Sequence, residues 1–468
     1  MEIGELAAGI RTRAFSALEV TQAMLQRIAA FDPHLHAYCL VTPELALAQA
    51  AAADARQARG EPLGALHGVP IALKDLCFTQ GIATAAGMPM HRGHIPDHDA
   101  TVTRRLREAG AVLLGKLEMT EGAYSVHHPE VTAPVNPWAA ELWPGVSSSG
   151  PGVATAAGLC FGSIGSDTGG SIRFPSAANA VTGLKPTWGR VSRHGAVELA
   201  ASLDHLGPMC RSAADCGRML GVMAGADPFD PTALPDPVPD YLSADIHRLD
   251  GLRIGVDASW LSTGVDSEVQ AGVQAALDVL CRLGAQAVPV TVPDSDALVA
   301  TWVALCGIEA AVAHERDFPA RRAAYGPVLA GLLDEGRALS ALDYQRILLR
   351  RADFTGRMRS LMADIDLLIS PAIPLVAPTA ARLAALREEP GYRVRWQRFT
   401  VPADMTGQPT LTMPSGFTAQ GIPTAVQLTA GHLGEAVLIR AGRAFQGVTD
   451  WHRRHPDASR WAGSASVG

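Results

Sequence analysis

The chain has 468 residues, 48% of them hydrophobic and 18% charged, which is long and apolar enough to bury a sizeable core. A net charge of −7 with a pI near 6.1 leaves no electrostatic footprint for nucleic acid or an anionic membrane. Seven cysteines without a CxxC pair read as reduced thiols of a cytoplasmic protein, and the charged opening MEIGELAAGIRTRAFSALEV fits neither a secretory signal nor a membrane span.

Apolar positions at helical spacing (Leu6, Ile10, Leu18, Met24, Ile28) predict helix over residues 4–31, and an Ala-rich stretch predicts another over 43–59. Gly68 to Asp75 reads as a short apolar strand ending in charge. Residues 100–109 read as helix, Ala111–Leu114 as a buried strand, Gly152–Gly158 as helix after Pro151, and Leu159–Ile164 as strand. The Pro- and Asp-rich residues 226–245 form a surface connection. Beyond it come a strand at Arg253–Val256, a helix over 266–283 and a strand at Ala287–Val292. Residues 295–363 are mainly helical, and a strand at Asp366–Ser370 runs into Pro371, Pro374 and Pro378. Such alternation predicts an α/β fold around a mixed sheet. The whole chain is read as one unit: a helical segment over about 1–60, a core over about 61–225, and a side lobe or lid over about 295–363 inserted before the C-terminal core.

Three signatures lose on their chemistry. Gly110 to Leu117 nearly spells a phosphate-binding loop, but Leu117 stands where the magnesium-binding hydroxyl belongs. His91, His94 and His98 with Asp97 and Asp99 match no compact metal-ligand pattern and read as a polar loop. No G-x-S-x-G elbow occurs. What stands out is the run from Gly145 to Pro186, where Ser147-Ser148-Ser149-Gly150 and Asp167-Thr168-Gly169-Gly170-Ser171 bracket mostly small residues. Glycine and serine at this density allow backbone to approach a ligand closely. Ser171 follows two glycines whose N–H groups no side chain screens, as a nucleophile beside an oxyanion site requires. Lys74 ends an apolar run, where desolvation would lower its pKa toward that of a base; a structural partnership with Asp75 or Asp167 is the alternative.

These segments resemble the amidase signature family along almost the whole chain. The resemblance runs through Gly68–Asp75, Asp99–Val102, Gly110–Lys116, Asn136–Trp138, Pro144–Pro186, Ser202–Pro208, Pro371, Thr406–Pro409 and Gly421–Pro423 with Gln427. It implies an amidase signature fold, with a central mixed β-sheet flanked by many α-helices. It also implies a Ser–cis-Ser–Lys triad, with Ser171 as nucleophile, Ser147 as bridging serine after a cis peptide, and Lys74 as general base. The resemblance further gives Thr168 to Ser171 as oxyanion donors and Asp167, Arg173 and Ser148 as supporting residues. Met119, Gly122, Ala123 and Tyr124 should line the acyl side and residues 302–335 the entrance, with Tyr124, His127 and His128 as candidate substrate contacts against a packing role.

The implied reaction is hydrolysis of a small carboxylic amide through a Ser171 acyl-enzyme, with aryl acylamides, carbamates or ureas as variants and no metal or cofactor. The expected state is a cytoplasmic protein, a homodimer by family habit, with no nucleic acid or membrane partner. Val146, Ser149 and Pro151 depart from the family's usual Gly/Ser stretch. Two other readings stand beside the free-standing amidase. One is the glutaminase subunit of a tRNA-dependent amidotransferase, which Val191–Arg193 and Ser202–Asp204 resemble; apolar Leu329, Leu332, Leu333 and Leu339 argue instead for a less polar pocket. The other is a non-catalytic binding protein of amidase descent.

Overall fold

A computed structural model describes residues 1–461 and is built on one eleven-stranded mixed sheet. The strands are β1 (Tyr38–Val41), β2 (Pro70–Lys74), β3 (Val112–Leu117), β4 (Gly162–Asp167), β5 (Thr182–Lys185), β6 (His205–Cys210), β7 (Arg253–Val256), β8 (Gln286–Pro289), β9 (Leu367–Ser370), β10 (Thr410–Phe417) and β11 (Pro423–Ala430). Their order across the sheet is β1-β3-β2-β4-β6-β5-β10-β11-β9-β7-β8. Strand β2 is parallel to both β3 and β4, β7 is parallel to β8 and β9, and the remaining pairs are antiparallel. Strands β2, β3 and β4 are buried along their whole length, which is why they read as continuous small or apolar runs rather than alternating ones. The predicted α/β fold is what forms.

Helix boundaries follow local capping chemistry. The expected helix over 4–31 is two helices, Ile3–Arg11 and Ala17–Leu35. They are separated at Arg13, which has φ 59°, and the second starts at Ser16, whose side chain accepts from the Glu19 N–H in a capping box. The helical stretch 295–363 is three helices, Asp296–Ala313, Pro327–Ala338 and Ala341–Ala363. The first has the length and hydropathy of a membrane span, yet it buries Leu298, Trp302, Leu305 and Cys306 in the protein. The strand expected at Leu159–Ile164 begins at Gly162, because Gly158 closes the preceding helix in the left-handed conformation and Leu159 folds back to Ala154. The strand at Ala287–Val292 is shorter and ends at Pro289. All seven cysteines are free thiols.

Two short helices, Ser149–Ala157 and Arg173–Asn179, are buried at every residue and pack on each other. One starts just after Ser147 and Ser148, the other just after Ser171. The fold thus brings both ends of the Gly145–Pro186 run beside Lys74, the last residue of β2.

Candidate active site

Lys74 is fully buried, and its Nζ lies 2.7 Å from Ser147 Oγ, 2.9 Å from Ser148 Oγ and 2.8 Å from Ser166 Oγ. Three hydroxyls satisfy the amine's hydrogen-bonding capacity but supply no negative charge. Burial therefore lowers the lysine to about 7, against the opposing pull of Asp167. Ser148 donates its own proton to the Ser166 carbonyl at 3.1 Å, so toward Lys74 it acts as an acceptor. Ser147 has no such prior engagement among the described residues. A neutral amine can thus donate to Ser148 and Ser166 while its lone pair accepts from Ser147.

The Val146–Ser147 peptide is cis. Ser171 lies across the site, its carbonyl accepting from the Ser148 N–H at 3.3 Å and its side chain lining an adjoining cavity. Among the described residues no hydrogen bond joins the Ser171 and Ser147 hydroxyls. Catalytic hydrogen bonds are often open in the absence of substrate.

The turn before Ser171 is held by a buried ionic brace. Asp167 accepts from the N–H groups of Gly170 (2.6 Å) and Ile172 (2.9 Å). It is gripped by Arg173 through Nε at 3.0 Å and Nη2 at 2.8 Å. Arg173 also reaches Asp404 at 2.6 Å and the Thr400 carbonyl at 2.8 Å. Burial alone would raise the Asp167 carboxyl; Arg173 overrides it and holds the group well below the usual carboxylate range. Asp404, buried without as many donors, is pushed well up. Gly170 has φ 132°, and a Cβ there would stand 2.6 Å from the Phe174 ring, so no other residue fits the turn. The expected oxyanion set changes at this residue, because its N–H is already given to Asp167. Among the described residues, Gly169 and Ser171 keep theirs unengaged.

The cavity beside Ser171 has a volume of about 510 Å³. Ala123 and Tyr124 line it as expected, with Val146, Thr168 and Gly169. Met119 and Gly122 do not: Met119 is fully buried, and Gly122 faces Leu329 and His314. His127 bonds Ser149 at 2.9 Å and is lowered to about 4 by burial, while His128 accepts from the Glu130 N–H. Neither reaches the cavity, so the packing reading holds for both. Of the expected entrance residues, Trp302 and Val328 contribute. Leu329, Leu332 and Leu333 are instead buried where Pro327–Ala338 packs on Asp296–Ala313.

The remaining wall comes from Trp143, Phe174 and the segment 383–397, which sequence reasoning passed over. Trp396 is its centre, with ring centroids 5.2 Å from Trp143, 6.1 Å from Phe174 and 5.6 Å from Tyr392. The helices Ala380–Arg387 and Tyr392–Gln397 carry this wall. Elsewhere, Lys116 of the near-phosphate-loop pairs with Asp75 at 2.9 Å. His98 bonds Asp97, His91 faces Asp317, and Asp99 pairs with Arg107. Among the described residues no three such groups converge on one point.

A family model described as Amidase matches residues 19–439. The chain is 48% identical over 456 residues to "Putative amidase AmiD" of Mycobacterium tuberculosis, covering 97% of this chain and 96% of that protein. It is 38% identical over 485 residues to one subunit of the glutamyl-tRNA(Gln) amidotransferase of Pseudomonas aeruginosa, covering 97% and 99%. The structure of the native peptide amidase from Stenotrophomonas maltophilia superposes with a TM-score of 0.85 at 31% identity, covering 98% of each chain.

Proposed function

The chain belongs to the amidase family and is a hydrolase of C–N bonds; from that premise we propose that it cleaves carboxylic amides with an apolar or aromatic group through a Ser171 acyl-enzyme. The observation that carries this reading is the fully buried Lys74, bonded to three hydroxyls and lowered to about 7, behind a cavity that holds Ser171 and an aromatic wall. In this scheme Ser171 Oγ attacks the amide carbon as its proton moves to Ser147 Oγ, and the Ser147 proton moves to Lys74 Nζ. The N–H groups of Gly169 and Ser171 hold the oxyanion, with Thr168 alongside. Collapse breaks the C–N bond while the relay returns the proton to the departing amine. Water then attacks the acyl-enzyme by the same route, releasing the carboxylic acid and regenerating the Ser171 hydroxyl. Asp167 and Arg173 position the turn.

The pH dependence has a definite sign. The neutral amine is the competent form, so kcat/KM for an uncharged anilide is expected to be full above about 7 and to fall tenfold per pH unit well below it. A flat profile from about pH 5 to 9 with chemistry rate-limiting would count against Lys74 as base.

The substrate class is tested with the purified chain on glutamine, benzamide, an anilide, a carbamate and a urea, each with and without EDTA. Hydrolysis of the aromatic amides without partner proteins, unaffected by EDTA, is the expected result. The 38% identity to an amidotransferase component supplies the second reading. Glutamine-only turnover that needs added partner proteins would replace the first reading with it, and no turnover with any substrate would favour a binding role.

A further inference from the structure

The mouth of the Ser171 cavity carries charge that the proposed hydrolysis does not use. Three charged side chains of the segment 383–397 line it: Arg387, Glu389 and Arg393. Glu389 is already neutralised by Arg395 at 2.5 Å, with Arg382 at 3.8 Å. Neither Arg387 nor Arg393 has a carboxylate partner among the described residues, and both are exposed at the rim. Their neighbours in the cavity are phenols, Tyr124 beside Arg393 and Tyr392 beside Arg387. The chain's net charge of −7 makes such a local surplus of two guanidinium groups a reversal of the molecule's general field. Guanidinium binds carboxylate in a planar, two-pronged geometry, and it does so best next to low-dielectric aromatic walls.

Resting on the amidase reading above, we infer that the preferred substrate is an amide bearing a carboxylate, with its apolar group against Trp143, Phe174 and Trp396 and its anion held at the mouth by Arg387 and Arg393. The carboxylate can belong to the acyl part or to the leaving amine; both present the same anion to the rim.

Two matched substrate pairs separate these cases. N-phenylsuccinamic acid against 4-hydroxy-N-phenylbutanamide places the charge on the acyl side. N-benzoylglycine against N-(2-hydroxyethyl)benzamide places it on the amine side. Wild-type enzyme is expected to favour the carboxylate member of one pair by about tenfold or more in kcat/KM, carried by KM, as a charge-assisted hydrogen bond allows. That ratio should shrink as salt rises and collapse toward unity in the R387Q/R393Q double variant, with an unchanged melting temperature as the folding control. Equal turnover within both pairs, or a preference that survives the double variant, would overturn the inference while leaving the amidase reading intact. Failure to hydrolyse any of the four amides would overturn that reading, and this inference with it.

Discussion

Ser171→Ala is expected to lower kcat by about 10⁴-fold or more, because removing the attacking atom leaves only binding and oxyanion stabilisation. Folding should hardly change. The Ser171 side chain is only partly buried and faces the cavity, and the tie between the two segments at this point runs through the Ser171 carbonyl to the Ser148 N–H. The structural bonds of the turn belong to Asp167, which alanine at 171 leaves in place. Turnover of an anilide and mass spectrometry after a pulse of an activated ester check both halves of the expectation: no hydrolysis and no acyl adduct, with an unaltered melting curve. Ser147→Ala provides the contrast. Lys74 keeps Ser148 and Ser166 as partners, so the base stays buried but loses its route to Ser171. More than about a tenth of wild-type activity in Ser171→Ala would remove this residue as nucleophile, whatever Ser147→Ala does.

The parts of this site that can be read in the sequence are those whose chemistry is local. Lys74 is legible because it ends an apolar strand, and the Ser147 and Ser171 clusters because small residues concentrate around them. One further signal was available there: lysine occurs only at 74, 116 and 185, so every other permanently cationic side chain is arginine, and all three lysines are fully buried. Arginine cannot shed its proton in a protein, whereas a desolvated lysine can, and such scarcity marks each lysine for inspection. Ser166 was missed because it sits in the interior of β4, where a serine looks like filler. Asp404 was missed because its partner Arg173 is 231 positions away and only the fold joins them. In the wall at 383–397 Arg387, Glu388, Glu389, Arg393 and Arg395 interrupt the apolar residues, and the buried Leu383, Leu386 and Trp396 declare themselves only when packed. Strand β10 is obscured by Pro414 and Gly416, where its ladder with β11 shifts register.

Arg173→Met is expected to produce the largest loss of stability of any change near the site. Arg173, Asp167 and Asp404 have fully buried side chains, so methionine would leave two carboxyl groups in the interior without their only guanidinium. Removing one partner of a buried ionic group typically costs about 3–5 kcal/mol, because the charge left behind is unpaired rather than merely less attracted. Urea unfolding should register the drop as a lower midpoint. Activity should fall as well in whatever fraction stays folded. Without Arg173, burial drives the Asp167 carboxyl toward its protonated form, and a neutral carboxyl accepts more weakly from the Gly170 and Ile172 N–H groups that shape the turn. A second variant separates brace from charge. Arg173→Met combined with Asp404→Leu removes one stranded carboxyl and should recover part of the lost stability, yet it should not restore turnover, because Asp167 remains ungripped. Full activity in the single variant would show that the nucleophile turn holds its shape by packing alone, with Gly170 against Phe174 as the only constraint needed.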